Sequence, residues 1–333
     1  MSQEASSAFD ERSVVRALYL AILGREADEK GLVANLQYLR EHGLERTTRA
    51  FVQAEEFKSR FDGQSVQFNP NFQLNWAPPM QVETEISADD MNKLWKHVAG
   101  VWTKLGEDDP YWSVLTNEAF RQGNMNNQQI LDTFYDSGEG DVKYFQAFLA
   151  RAGLTMPPNT IVAEFGCGVG RVTRFLAREF SRVFAVDISL PHLEAAKARL
   201  NGEGLKNIDY VQLISRDSLK TLKEIDLFFS MIVLQHNPPP IMLDVLNNAF
   251  SSLSQHGIAF FQAPTYALDY QFSLDSFYKK EALNKSMEMH YLPQRDILRL
   301  ADKHKMRLLE IRQDHCIGIY DRAISNTFLM QKS

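Results

Sequence analysis

Cysteine is scarce in this chain. Only Cys167 and Cys316 occur among 333 residues, which excludes a disulfide-stapled scaffold and fits a reducing compartment. No cluster of Cys, His and carboxylates has metal-ligand spacing, so no metal is expected. Long apolar runs are missing as well. No segment approaches the roughly 20 apolar residues of a membrane-spanning helix, and the opening MSQEASSAFDERS is too polar and acidic for a secretory signal. A cytosolic protein without direct membrane insertion is the expectation. Positive charge is also in short supply. With 36 Lys and Arg against 42 Asp and Glu, the net charge is -6, which argues against nonspecific attraction to nucleic acid or anionic membranes. What is present is apolar material, 44% of the chain, enough for a substantial core and more than one domain.

The stretch IVAEFGCGVGRVTRFLAREF, residues 161–180, organises the rest. Ile161 to Phe165 is a short apolar run suited to a buried parallel strand, and Val172, Phe175, Leu176 and Phe180 repeat with helical spacing. Gly166, Gly168 and Gly170 lie between them. Such glycines let the backbone turn sharply, approach a ligand closely and aim amides at it from a helix start. A dinucleotide fingerprint needs its third glycine where Arg171 stands, and here it comes one residue earlier. With Glu164 ahead, the pattern is E-x-G-x-G-x-G. It resembles the first motif of class I S-adenosylmethionine-dependent methyltransferases. That resemblance implies S-adenosyl-L-methionine as cofactor, with its methionine part on the turn 166–171, Cys167 and Arg171 included, and its cationic amino end near Glu164. A carboxylate suits that cation and would oppose a pyrophosphate.

Arg182 to Val186 reads as a second strand ended by Asp187, where an acidic side chain can accept both ribose hydroxyls. Ile188 and Ser189 then lead to Pro191 and a helix with Leu193, Ala196 and Leu200 inside. A third strand, Tyr210 to Ile214, precedes Asp217 and Ser218. By resemblance Asp217 sits where the family often holds the adenine amino group; a helix N-cap is the alternative reading. A fourth strand spans Ile225 to Val233 and a fifth Ile258 to Gln262, with a helix from about Pro239 to Leu253 between them. A helix from Pro293 to His304 and strands Met306 to Gln313 and Asn326 to Gln331 follow. Two terminal strands without a crossover helix must pair antiparallel. The expected fold is α/β: a Rossmann-like, mostly parallel methyltransferase sheet with a C-terminal antiparallel hairpin, preceded by an all-helical module.

That module covers residues 1–62. Amphipathic helices carry Val14 to Leu23 and Leu32 to Leu39, stopping at Gly24 and near Gly43, and Thr47 to Phe61 supplies a third. ALYLAILGREADEKGLVANLQYL followed by FVQAEEF resembles a small helical domain appended to bacterial surface-associated and glycan-modifying proteins. The resemblance implies a docking module with a possible protein partner; Arg25 and Asp28 serve equally well to fix the inter-helix turn. Residues 63–88, rich in Asn, Gln and Pro, read as a linker. Residues 89–152 read as a helical lid, its first helix carrying Met91, Leu94, Trp95, Val98 and Trp102, with Tyr135 and Ser137 on a loop able to touch the ligand. Residues 153–333 complete the methyltransferase domain.

The reacting end belongs beyond the C-terminal sheet edge, where open α/β sheets bind ligands. His236, in the loop LQHNPPPIM, is the first candidate general base, because a neutral imidazole can take a hydroxyl proton; capping or packing is its structural alternative. His290 is the second, inside an aromatic-rich insertion, Ala263 to Leu292. Asn237, Pro238 and Pro239 are similar to the loop of base-modifying amino-methyltransferases, but Pro240 stands where an aromatic is required. The resemblances together imply O-methylation of a sugar hydroxyl on a bacterial surface glycan or its precursor. A small metabolite or lipid as acceptor and a non-catalytic cofactor-binding scaffold remain open.

Overall fold

The computed structural model describes residues 10–23, 25–54, 78–281, 287–318 and 322–333. It divides into two compact units, residues 1–77 and 78–333. In the first, α1 (Glu11–Leu18) is capped by Asp10 and continues as a π-helical turn, Tyr19–Leu23. Asp28 caps α2 (Glu29–Gln53) by accepting from Gly31 N at 2.8 Å, and Arg25 reaches the same carboxylate. These two residues fix the inter-helix turn. Gly43, at φ 77°, kinks α2, so the third helical stretch begins straight after it; residues 55–61 and Gly24 lie outside the described residues. Val15, Tyr19, Leu23, Leu32, Leu36 and Phe51 form this unit's core.

The second unit begins with β1 (Gln81–Val82), which pairs in parallel with β7 (Gln271–Phe272). The tail of the expected linker is therefore a short strand, and residues 63–77 are outside the described set. The cap consists of α3 (Ala88–Asp108), α4 (Pro110–Val114), two 3-10 turns, α5 (Gln128–Asp136) and α6 (Gly138–Arg151). Next come β2 (Ile161–Phe165), α7 (Thr173–Glu179), β3 (Arg182–Asp187), α8 (Leu190–Gly202), β4 (Ile208–Gln212) and β5 (Ile225–Ser230). The chain closes with α9 (Pro239–Ser252), β6 (Leu253–Ala267), α10 (Leu274–Glu281), α11 (Gln294–Lys303), β8 (Met306–Asp314) and β9 (Ala323–Lys332).

The strands form one seven-stranded sheet of order β4-β3-β2-β5-β6-β9-β8. All neighbours are parallel except β9, which runs antiparallel between β6 and β8. The hairpin read from the sequence is thus present. Both faces of the central strands are covered, which is why β2, β3, β5 and β9 are buried at successive positions while the edge strands β4 and β8 are not. Val162, Phe229, Phe260 and Leu329 pack under Phe145, Phe148 and Leu176 of α6 and α7. Ala163, Phe228, Phe261 and Phe328 share the opposite core with Leu94 and Trp95 of α3, α9 and α11.

Several boundaries differ from the sequence reading, among them the fifth strand, which runs Leu253–Ala267 and so into the expected insertion, and three of them bear on the site. Tyr135 to Gly138 is no loop: α5 runs to Asp136 and α6 starts at Gly138, with Ser137 alone at the joint. The strand expected to reach Val233 stops at Ser230, because Ile232 takes a left-handed φ of 61°. The strand expected to reach Ile214 stops at Gln212, leaving Ile214 81% exposed. Gly138 shows how closely the cap is seated. A Cβ there would lie 2.2 Å from the backbone oxygen of Arg171, an atom that cannot swing away. Gly138→Ala is expected to cost about 3 kcal/mol, the upper range for over-packing, and to lower Tm by roughly 6–12 °C in thermal denaturation.

Candidate active site

A cavity opens across the C-terminal ends of β4, β3, β2 and β5, where open α/β sheets bind their ligands. Its floor is the glycine turn. Gly166, Gly168 and Gly170 have φ of 75°, 53° and 85°, so each uses the freedom only glycine has. A Cβ on Gly166 would strike Val233, and one on Gly168 would strike Val114 of α4, while Gly170 lies against Leu200 and Ala196 of α8. The first two glycines line the cavity and the third fits the helix to the sheet. Cys167 and Ile188 line it too, the thiol buried and pushed up in pKa by that burial.

Glu164 is buried at one end, and its Oε2 has no hydrogen-bond partner. Burial pushes its pKa up to about 8, against the lowering effect of the Thr173 hydroxyl and the Arg171 guanidinium. Arg171 lines the same cavity; it bonds Asp141 and the Ser137 hydroxyl on the cap, yet its Nε stays unpartnered. One strand away, Asp187 closes β3. Its Oδ2 accepts from Gly168 N at 2.8 Å and its Oδ1 from Ser189 N at 2.9 Å. Each oxygen keeps a second lone pair. Beyond it, Leu213 after β4 and Ile188 supply apolar wall, and Trp95 and Trp102 of α3 line the cavity from above.

The sequence reading missed a clasp between cap and sheet. His192 at the start of α8 is buried, with Nε2 at 2.8 Å from Ser113 Oγ of α4 and Nδ1 at 2.7 Å from Ser189 Oγ. Burial lowers its pKa, favouring the neutral ring that two hydroxyls can share. The only sequence signal was an imidazole five residues beyond Asp187, and nothing local announces Ser113 as its partner.

Three residues expected to touch the ligand lie outside the cavity lining. Tyr135 is wholly buried between Tyr111 and Phe134, and its hydroxyl donates to Val169 O at 3.2 Å; it supports the glycine turn from beneath and does not line the cavity. Asp217 and Ser218 are also outside the lining. Because β4 ends early, the following 3-10 turn faces Asp217 to solvent beside Lys220, and Ser218 closes a capping box with Ser215.

His236 and His290 meet at a smaller neighbouring pocket lined also by His97, Val98, Phe277 and Glu288. Trp102 lines both pockets. The His236 ring sits between Gln235 Nε2 and the Glu288 carbonyl, each at 3.1 Å, and burial lowers its pKa to about 4. Those partners assign the proton to Nδ1 and leave Nε2 accepting from the amide. His290 has Tyr270 OH at 2.9 Å from Nδ1 and Glu288 Oε2 at 3.3 Å from Nε2. The bond to His290 holds the Glu288 carboxyl below its usual range.

Comparison with known proteins agrees with this geometry. Residues 162–257 match the family described as "Methyltransferase domain". The ubiquinone biosynthesis O-methyltransferase of Histophilus somni (strain 2336) is 28% identical over 105 residues, 30% of this chain and 43% of that protein. The N-terminal Xaa-Pro-Lys N-methyltransferase 1 of Xenopus tropicalis is 28% identical over 120 residues, 36% of this chain and 54% of that protein. The matched stretch thus spans about half the length of these curated relatives. In fold, the chain is similar to the magnesium protoporphyrin IX methyltransferase of Synechocystis PCC 6803, solved with bound SAH. The TM-score is 0.50 at 17% identity, covering 72% of this chain and 99% of that one. An unpaired carboxylate oxygen and an unpaired guanidinium nitrogen at one end, a paired-acceptor carboxylate midway and an apolar far end complement a zwitterion, a diol and a purine in turn. The second unit of this chain thus carries, over residues 162–257, a stretch that matches a methyltransferase domain, set in a Rossmann-like sheet whose cavity is suited to S-adenosyl-L-methionine.

Proposed function

We propose that the chain transfers a methyl group from S-adenosyl-L-methionine to a hydroxyl of a ring-bearing acceptor, a sugar of a surface glycan or its precursor. The observation that carries the cofactor part is the buried, unpartnered Glu164 Oε2 beside a glycine turn closed by Asp187. When bound, the cofactor supplies an electrophilic methyl on a sulfonium. Glu164 and Arg171 would hold its amino-acid end, and Asp187 the ribose.

The acceptor belongs in the pocket beyond Trp102. Trp102 and Phe277 offer ring faces there, and Glu288, His236 and His290 offer partners for hydroxyls. His290 is the favoured base, because Glu288 Oε2 at 3.3 Å from Nε2 orients its ring and makes Nδ1, now facing the Tyr270 hydroxyl, the accepting nitrogen; His236, with its Nε2 engaged by Gln235, positions the Glu288 segment. Alkylation of oxygen otherwise needs alignment of the reacting atoms. The helical module of residues 1–62 serves to dock the enzyme near its substrate.

Calorimetric titration with S-adenosylhomocysteine and, separately, NADH tests the cofactor. Binding of the former alone is expected. Transfer of labelled methyl groups to glycans tests the acceptor, and labelling confined to lipids or small metabolites would sink the sugar reading. His290→Ala is expected to slow transfer by about a hundredfold while S-adenosylhomocysteine affinity stays nearly unchanged; equal losses in both would remove its role as base. Deleting residues 1–62 is expected to reduce labelling of intact glycan, and an unchanged rate would discard the docking role.

A further inference from the structure

With Asp217 turned to solvent, no carboxylate among the described residues lines the far end of the cavity where a purine would sit. Something else must recognise it. Strand order places Glu164, Asp187 and Leu213 at the ends of β2, β3 and β4, three adjacent parallel strands, so the cavity extends two strand spacings, roughly 10 Å, from carboxylate to apolar wall. A ligand with its ammonium at Glu164 and its diol at Asp187 puts its base against Leu213 and Ile188. One polar atom of the cavity's apolar lining is unaccounted for. Trp95, on α3, is 5% exposed, packs in the same apolar core as Leu213, and its Nε1 has no hydrogen-bond partner. An indole N–H is a donor only, and an orphaned buried donor carries a desolvation cost that a ligand acceptor would remove.

We infer that Trp95 is the adenine-recognising residue, its indole N–H donating to a ring nitrogen of the base in place of a carboxylate that would accept from the exocyclic amine. This rests on the S-adenosylmethionine reading. The two modes differ chemically. A carboxylate reads the amino group, whereas Trp95 reads an acceptor in the ring. It also comes from the cap, so base recognition depends on the cap being in place.

The test is calorimetry with S-adenosylhomocysteine and its 1-deaza, 3-deaza and 7-deaza analogues, each lacking one ring acceptor, on the wild-type protein, Trp95→Phe and Asp217→Ala. Trp95→Phe is expected to weaken S-adenosylhomocysteine about three- to tenfold, the range of one lost hydrogen bond. One deaza analogue is expected to bind the wild type weaker by a similar factor and to show no such deficit with Trp95→Phe. Asp217→Ala is expected to bind as the wild type does. Identical deaza penalties in wild type and Trp95→Phe would overturn the inference, as would a loss in Asp217→Ala matching that of Trp95→Phe, with cofactor binding itself left standing. If Trp95→Phe fails to fold, the three analogues on wild type still decide, since no penalty from any of them excludes a ring-nitrogen acceptor. Failure of wild type to bind S-adenosylhomocysteine at all would overturn the cofactor reading, and this inference with it.

Discussion

S-Adenosylhomocysteine affinity is expected to rise about 30- to 100-fold between pH 6 and pH 8 and then level off. The cause is Glu164, whose carboxyl is neutral in the ligand-free protein below its pKa of about 8. A ligand ammonium beside Oε2 favours the ionised form, so binding below that pKa must expel a proton, and each pH unit weakens affinity by about tenfold, or 1.36 kcal/mol. The same shift acts on folding with the opposite sign. Because the folded pKa lies above the ordinary 4.5, the unfolded chain ionises first, and the ligand-free protein loses stability as pH rises from about 4.5 through 8. Calorimetry near pH 7 in two buffers of different ionisation enthalpy measures the proton directly, with close to one released per ligand bound. Glu164→Gln is expected to bind weakly with little pH dependence. A variant that kept the wild-type slope would assign the proton to another group.

Asp187→Ala is expected to weaken S-adenosylhomocysteine by about a hundredfold or more, and to lower stability as well. Two effects coincide. Hydrogen bonds from a diol to a charged acceptor contribute about 1.5–3 kcal/mol each, and both are lost. The carboxylate also holds the amides of Gly168 and Ser189, so its removal leaves two buried N–H groups unpaired and frees both loops that shape the cavity. Asp187→Asn separates these effects, since its single oxygen can retain one amide while its NH2 opposes the other. Unchanged affinity in Asp187→Ala would remove this residue from the site.

The sheet was legible because its strands are buried on both faces, so even short runs such as IVAEF and DLFFS stand out from polar surroundings. The glycine turn and Asp187 were legible because the chemistry of the turn is local: positive φ demands glycine, and a strand end fixes the acid. Asp217 lies outside the cavity lining for an equally local reason. An apolar residue, Ile214, extended the pattern past the true strand end, and two residues of shift turned the following loop outward. Ser137 and Gly138 look like a break and suggest a loop at Tyr135, but that glycine is there for close approach to Arg171. Trp95 and Trp102 showed helical periodicity and nothing more, since periodicity identifies the buried face of a helix without saying what it faces. The Ser113, His192 and Ser189 clasp and the Glu288 and His290 pair are each made in part by residues remote in sequence or joined only by the fold.

Ser113 on His192 and Val114 over Gly168 bear on where this chain can be cut. The segment recognisable by family, residues 162–257, supplies a floor, while much of the roof over the ligand is contributed by α3 and α4, upstream of it. A truncation begun near residue 153 would therefore yield an open shelf in place of an enclosed chamber, with Phe229 and Phe260 of one sheet face and Ile241 and Met242 of α9 stripped of α6 and α3 and turned toward water. A fragment that keeps the cavity enclosed therefore starts at the cap, near residue 78, well before the first glycine of the turn.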